Sequence, residues 1–280
     1  MREIEAAKIV ETVKELCIKA NFELPEDVLQ ALRKGMETEE SPVGKEIFRQ
    51  LLENAEIAKN ERIPICQDTG TAVVYIEMGQ DVRIVGGYLY DVVNEGVRKG
   101  YIEGYLRKSI VGDPLRRKNT GDNTPAHIHV EVVPGDKFKI TVMPKGGGSE
   151  NMGRLAILTP AEGIEGVKRF VVKAVEDAGP NPCPPGVIGV GIGGTFDSVA
   201  WLAKKALLRP IGVRHPDPFY ANLELELLDE INRLGIGPQG LGGIITTLDV
   251  HIEVGATHIT SLPVAVNFNC HATRRASAEL

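Results

Sequence analysis

The chain has 280 residues, 42% hydrophobic and 25% charged, with a formal net charge of −6 at pH 7; this is ordinary for a globular protein of one or two domains. A mildly acidic chain argues against general nucleic-acid binding, which wants a basic face, and no apolar run reaches the roughly 18 residues of a membrane helix. The N-terminus, Met1-Arg2-Glu3-Ile4-Glu5, lacks the apolar core of a signal peptide, so a cytoplasmic location is expected.

Residues 3–20 place Ile4, Ala7, Val10, Val13 and Cys17 near helical spacing, which predicts an amphipathic helix carrying Cys17. A second helix is predicted over 25–35, with Pro25 in its first turn and Gly35 past its end, and a third over 42–60. Arg62 to Gly70 reads as a loop, followed by an apolar strand over 71–78. Helices are expected over 87–99 and 100–109. Residues 126–133 alternate as a strand, Pro134-Gly135-Asp136 form a turn, and 138–144 form the return strand. A Gly-rich loop covers 145–148. Helices are expected over 160–178, 195–208 and 219–234, and strands over 243–254 and 263–268, with an apolar run over 187–193. No repeat, low-complexity segment or long linker stands out. The expected fold is mixed α/β (α+β), a single unit over 1–280. Its N-terminal part, 1–60, is helical, and 61–280 forms a mixed-sheet region with flanking helices.

Four cysteines in a chain this long do not form a secreted disulfide framework. Cys17 lies on a helix's apolar face and reads as a buried thiol. The other three lie in turn-like segments: Cys66 in Ile-Pro-Ile-Cys-Gln-Asp-Thr-Gly, Cys183 in Gly-Pro-Asn-Pro-Cys-Pro-Pro-Gly, and Cys270 in Asn-Phe-Asn-Cys-His-Ala-Thr. Prolines on both sides of Cys183 fix its backbone. Three dispersed cysteines can hold three corners of a cubane and leave one iron open as a Lewis acid. Ordinary buried thiols are the competing reading, since no compact C-x₂-C-x₂-C run exists.

Beyond the cysteines, Ile65–Thr71 is joined by Lys145-Gly146-Gly147-Gly148-Ser149-Glu150-Asn151, by Asn181–Gly186 with Gly189–Thr195, and by Asn267–His271. In order and spacing these segments resemble the class I, iron–sulfur-dependent fumarate hydratase and L(+)-tartrate dehydratase family, over essentially the whole chain. The resemblance implies that Cys66, Cys183 and Cys270 ligate a [4Fe–4S] cluster. Its open iron would bind a hydroxyl and a carboxylate of a dicarboxylic acid, and water would be added or removed without redox turnover. The chain corresponds to the α half of a split enzyme, so a β subunit carrying the missing C-terminal domain is the expected partner, with α–α packing giving α₂β₂. The expected reaction is reversible hydration of fumarate to (S)-malate; the alternative is dehydration of L(+)-tartrate to oxaloacetate. Two readings of other classes are a non-catalytic metal-binding scaffold and a plain α/β enzyme with buried thiols.

By the same resemblance Gln67 and Asp68 contact substrate, and Asp68 takes part in proton transfer; on its own, Asp68 in Asp-Thr-Gly reads as an Asx turn. Gly148 and Asn151 are implied substrate contacts in a loop whose backbone N–H groups suit a carboxylate; the competing reading is a hairpin exit before a helix. Arg107 is the implied carboxylate-gripping arginine, with Arg116 and Arg117 as rivals. His258 matches a histidine near the substrate. His271 either orients the cluster or caps a turn. His127 and His129 share a strand face, with no third partner to make a metal site. Gly189 to Gly194 formally fits G-x-G-x-x-G but lacks the acidic residue a dinucleotide site needs, so close backbone packing beside the cluster is the expectation.

Overall fold

A computed structural model describes residues 1–280. In chain order the elements are β1 (Arg2–Glu5), α1 (Ala6–Phe22), α2 (Glu26–Thr38), α3 (Pro42–Glu61), β2 (Thr71–Gly79), β3 (Val82–Val85), α4 (Leu89–Glu103), β4 (His127–Val133), β5 (Phe138–Lys145), α5 (Gly147–Glu150), β6 (Arg154–Leu158), α6 (Gly163–Ala178), β7 (Gly186–Gly193), α7 (Phe196–Ala206), α8 (Pro218–Asn232), β8 (Thr247–Gly255), β9 (Leu262–Phe268) and β10 (Ala276–Glu279). The class is mixed α/β, as expected. The chain forms two compact units from separated stretches. The first comprises Met1–Pro25, Asn54–Gly147 and Arg274–Leu280; the second comprises Glu26–Glu53 and Gly148–Thr273.

In the first unit a four-stranded sheet runs in the order β10-β5-β2-β4. β2 is central: it pairs parallel with β4, Val73 opposite His127, and antiparallel with β5, Thr71 opposite Lys145. The stretches 126–133 and 138–144 are therefore not each other's partners, contrary to the strand-and-return reading; each flanks β2. The cause lies in β2 itself, where Ala72, Val73, Val74, Tyr75 and Ile76 are all buried. A continuous apolar run belongs inside a sheet, while the half-exposed β4 takes an edge. Arg2–Glu5 are not helical, because they pair in parallel with Val82–Val85. Nor is there a helix over 100–109: after Glu103 the chain turns at Gly104 and at Tyr105, whose φ is 51°. α1 and α4 cover the sheet, with Ile9, Val13 and Cys17 against Val93, Val97 and Tyr101. Cys17 is fully buried there, and burial pushes its thiol up to about 12.

The second unit has a sheet in the order β6-β9-β7-β8. β7 is parallel to β8 and antiparallel to β9. Its alternate residues explain the layers. Ile188, Val190 and Ile192 pack with Val167, Val171 and Val175 of α6 and Leu223, Leu227 and Ile231 of α8. Gly189 and Gly191 face α7, so closely that a Cβ would stand 2.1 Å from the Ala203 carbonyl oxygen and 2.3 Å from that of Val199. These glycines of the G-x-G-x-x-G run let a helix, α7, lie directly on a strand. Behind β8 a buried charge network joins Arg209 to Glu224 and Glu253, and Asp249 to Arg214 and His251.

Candidate active site

Within the first unit the Cys66 loop is held on all sides. The Asp68 N–H points at Cys66 Sγ, 3.4 Å away. Asp68 Oδ1 accepts the Gly70 N–H at 3.0 Å, the Asx turn read from the sequence, while Oδ2 accepts the Gly147 N–H at 2.8 Å. One carboxylate therefore ties the first cysteine loop to the Gly-rich loop. The Thr69 hydroxyl donates to the Arg107 carbonyl at 3.1 Å, and Tyr101 Oη donates to the Thr69 carbonyl at 2.8 Å. This fixes the backbone of Arg107 beside the loop and leaves its side chain exposed, without an ion pair. Arg116 and Arg117 belong instead to a turn organised by Asp113, whose carboxylate accepts the Leu115 and Arg116 N–H groups. Gln67 is exposed beside Asp68.

Gly147–Glu150 form one helical turn directly after β5. Gly148 and Asn151 are exposed there. In the second unit Glu150 is anchored by Lys204 of α7 and by Asn267 of β9, which fixes where Gly148 and Asn151 are presented.

The two cysteines of the second unit lie in loops laced together. The Cys183 carbonyl accepts the His271 N–H at 3.0 Å, and the Val187 carbonyl accepts that of Asn269 at 2.8 Å. Cys183 has φ 55°, a left-handed conformation that costs a non-glycine residue energy and is found where surroundings impose it. Its side chain is exposed, and Cys270 is half-buried. Gln239, which the sequence reading missed, donates to the Pro184 carbonyl from both its backbone N, at 2.7 Å, and its Nε2, at 2.6 Å. Nε2 also lies 3.2 Å from His271 Nδ1. His271 therefore joins the two cysteine loops. The buried Glu39 carboxylate accepts N–H groups from Ile244 and Ile245, holding the far end of the Gln239 loop. The density of glycine around Gln239 marks a loop in the sequence, but nothing local marks the glutamine itself.

His258 is exposed. Its Nδ1 lies 2.8 Å from the Thr260 hydroxyl oxygen and 3.2 Å from the Thr260 N–H, so Thr260 holds that side of the ring. His127 and His129 face Val73 and Tyr75 on β2. No group of three or more His, Cys, Asp or Glu side chains is gathered tightly enough to hold a single metal ion.

A cubane spreads its ligands over different irons, so it does not need donors gathered on one ion. The donor chemistry fits such a group. Cys66, Cys183 and Cys270 are all outside disulfides and at least partly accessible, and an N–H already faces one of the sulfurs. Hydrogen bonds to cluster sulfurs are a normal tuning device. Cys17, sealed in the core, is chemically unsuited to be a ligand.

The family description "Fumarate hydratase (Fumerase)" matches residues 10–279. A Methanocaldococcus jannaschii protein provisionally named L(+)-tartrate dehydratase subunit alpha is 45% identical over 275 residues, covering 96% of both chains. The L(+)-tartrate dehydratase subunit alpha of Escherichia coli O157:H7 is 38% identical over 272 residues, covering 96% of this chain and 89% of that one. A Shigella sonnei protein of the same name is 37% identical over the same length. Together the loops and the likenesses define a hydro-lyase subunit. The chain belongs to the fumarate hydratase (Fumerase) family. No helix is long and apolar enough to cross a membrane.

Proposed function

We propose that the chain is the α subunit of a [4Fe–4S]-dependent hydratase that interconverts fumarate and (S)-malate. The observation that carries the reading is the Asp68 carboxylate, two residues from Cys66 and hydrogen-bonded to Gly147 of the Gly-rich loop at 2.8 Å. It couples a candidate acid–base group to a cysteine loop and a carboxylate-binding loop at once. Cys66, Cys183 and Cys270 would hold the cluster, whose open iron supplies Lewis acidity toward a hydroxyl and a carboxylate. Arg107 would fork one carboxylate, and Gly148, Asn151 and Gln67 would orient the diacid. His258 would hydrogen-bond a substrate oxygen. Asp68 would move the proton at the carbon next to a carboxylate. The chain would work with a β subunit that supplies a further domain, as an α₂β₂ assembly in the cytoplasm, where thiols stay reduced.

A second reading, L(+)-tartrate dehydration to oxaloacetate, is favoured by the names of the relatives at 37–45% identity. The test is anaerobic reconstitution with the β subunit, followed by assays on fumarate, malate and L(+)-tartrate. The proposal expects a brown protein with about four irons per α chain. It also expects loss of iron in Cys66→Ser, Cys183→Ser and Cys270→Ser. An iron-free, colourless product refutes the cluster. Turnover of tartrate without fumarate hydration selects the second reading.

A further inference from the structure

The first unit contains a buried cation that makes no ion pair. Arg274 is 2% exposed. Its Nη1 donates to Asn21 Oδ1 at 3.0 Å, and its Nε has no acceptor. Arg274 forms no ion pair with any carboxylate of the chain. A buried guanidinium outside any ion pair has already given up its water, so an anion that reaches it gains the fork geometry without that part of the desolvation cost.

The surroundings show where that anion would enter. A Cβ placed on Gly146 would stand 3.3 Å from Asp68 Oδ2 and 3.7 Å from Arg274 Nη2. Glycine at this position therefore leaves open a small gap, with a carboxylate on one side and a guanidinium edge on the other. Asp68 does not close the gap itself, because Gly70 and Gly147 hold both its oxygens. We infer that Arg274 is an anion seat: it receives one carboxylate of the dicarboxylic substrate through Nε and Nη2, and Gly146 keeps the approach clear. This deepens the hydro-lyase reading and rests on it. Removing a proton next to a carboxylate builds negative charge on that carboxylate. A fixed guanidinium on one side of the gap stabilises that charge.

The test uses the full chain with succinate, a dicarboxylate that cannot be hydrated, at ionic strength held constant with chloride. Calorimetric affinity and melting temperature are the readouts. In the wild-type chain succinate is expected to bind and to raise the melting temperature. Arg274→Gln should lose binding at least tenfold, yet melt, without succinate, close to the wild-type temperature, since the charge it removes makes no ion pair and a single hydrogen bond, to Asn21. Gly146→Ala should weaken succinate at least tenfold by filling the gap. If Arg274→Gln does not fold, Arg274→Lys decides: the charge without the fork should also bind at least tenfold more weakly. A wild-type chain that ignores succinate overturns the inference. So do wild-type affinity in the Arg274 variants and an Arg274→Gln variant that melts far lower with its succinate response intact. Arg274-dependent succinate binding without turnover by the reconstituted pair would leave the seat standing and sink the proposed reaction; turnover without Arg274-dependent binding would do the reverse.

Discussion

Gly186→Ala tests how tightly the two cysteine loops of the second unit depend on each other. Gly186 opens β7 immediately after the Cys183 loop. A Cβ there would lie 1.8 Å from the Asn269 carbonyl oxygen and 2.7 Å from its carbon, whereas real Cβ atoms essentially never approach closer than 3.0 Å. Residues 269 and 270 would have to retreat by more than about 1 Å, since backbone cannot swing aside as a flexible side chain can. That retreat pulls on the Asn269-to-Val187 and His271-to-Cys183 hydrogen bonds, at 2.8 and 3.0 Å. Two such bonds are worth about 1 kcal/mol each, and overpacking itself costs about 1–3 kcal/mol, so the loss is about 3–5 kcal/mol. For a chain of this size that lowers the melting temperature by roughly 6–20 °C. Thermal denaturation of the full chain reads it directly, with Gly112→Ala as control, because the nearest atom to a Cβ there is 3.7 Å away. The control should stay within about 0.5 kcal/mol of wild type. A Gly186→Ala chain that melts within 2 °C, roughly, of wild type would show that the loops are not locked as described.

Cys17→Ser puts a hydroxyl into the apolar seam between α1 and α4; it should cost about 1–3 kcal/mol in chemical denaturation and leave reconstituted iron unchanged. Asp68→Asn keeps the shape of the loop but removes the acid–base group, so kcat of the reconstituted enzyme should fall by about 10²–10⁴ while iron content holds. In the buried network, desolvation works to raise the carboxyl of Asp249, but His251, Arg214 and the Gly212 N–H outweigh it and hold the group down to about 2, against an ordinary 3.8. A depressed carboxylate stabilises the fold above its unfolded pKa and loses that contribution as pH falls through the folded one. Asp249→Asn should therefore cost about 2 kcal/mol at neutral pH, a difference that shrinks between about pH 4 and pH 2; an equal cost at low and neutral pH would refute the assignment.

The sequence makes the helices and the strongly apolar strands legible, because periodicity reports burial directly. α2, α3, α6, α7 and α8, together with β2 and β9, lie within a few residues of their expected places, and the apolar run over 187–193 is β7. What it hides is pairing. β4 and β5 look like a hairpin because a turn separates them, yet each takes a side of β2, and only the apolar content of β2 hints at that. β10 is the clearest case. Ala276-Ser277-Ala278-Glu279 carries neither bulk nor alternation strong enough to signal a strand, but it pairs antiparallel with β5, Ala276 opposite Val142. That pairing has a chemical consequence. The chain leaves the first unit at Gly147, builds the sheet of the second, passes Cys270, and returns at Arg274. The return brings Arg274 to Gly146 and Asp68, residues more than a hundred positions earlier. Cysteine loops can be recognised by the residues around them, whereas a charge delivered by a silent edge strand can be recognised only once the strand order is known. The motifs therefore name Asp68 and the Gly-rich loop, and the topology adds the guanidinium that faces them.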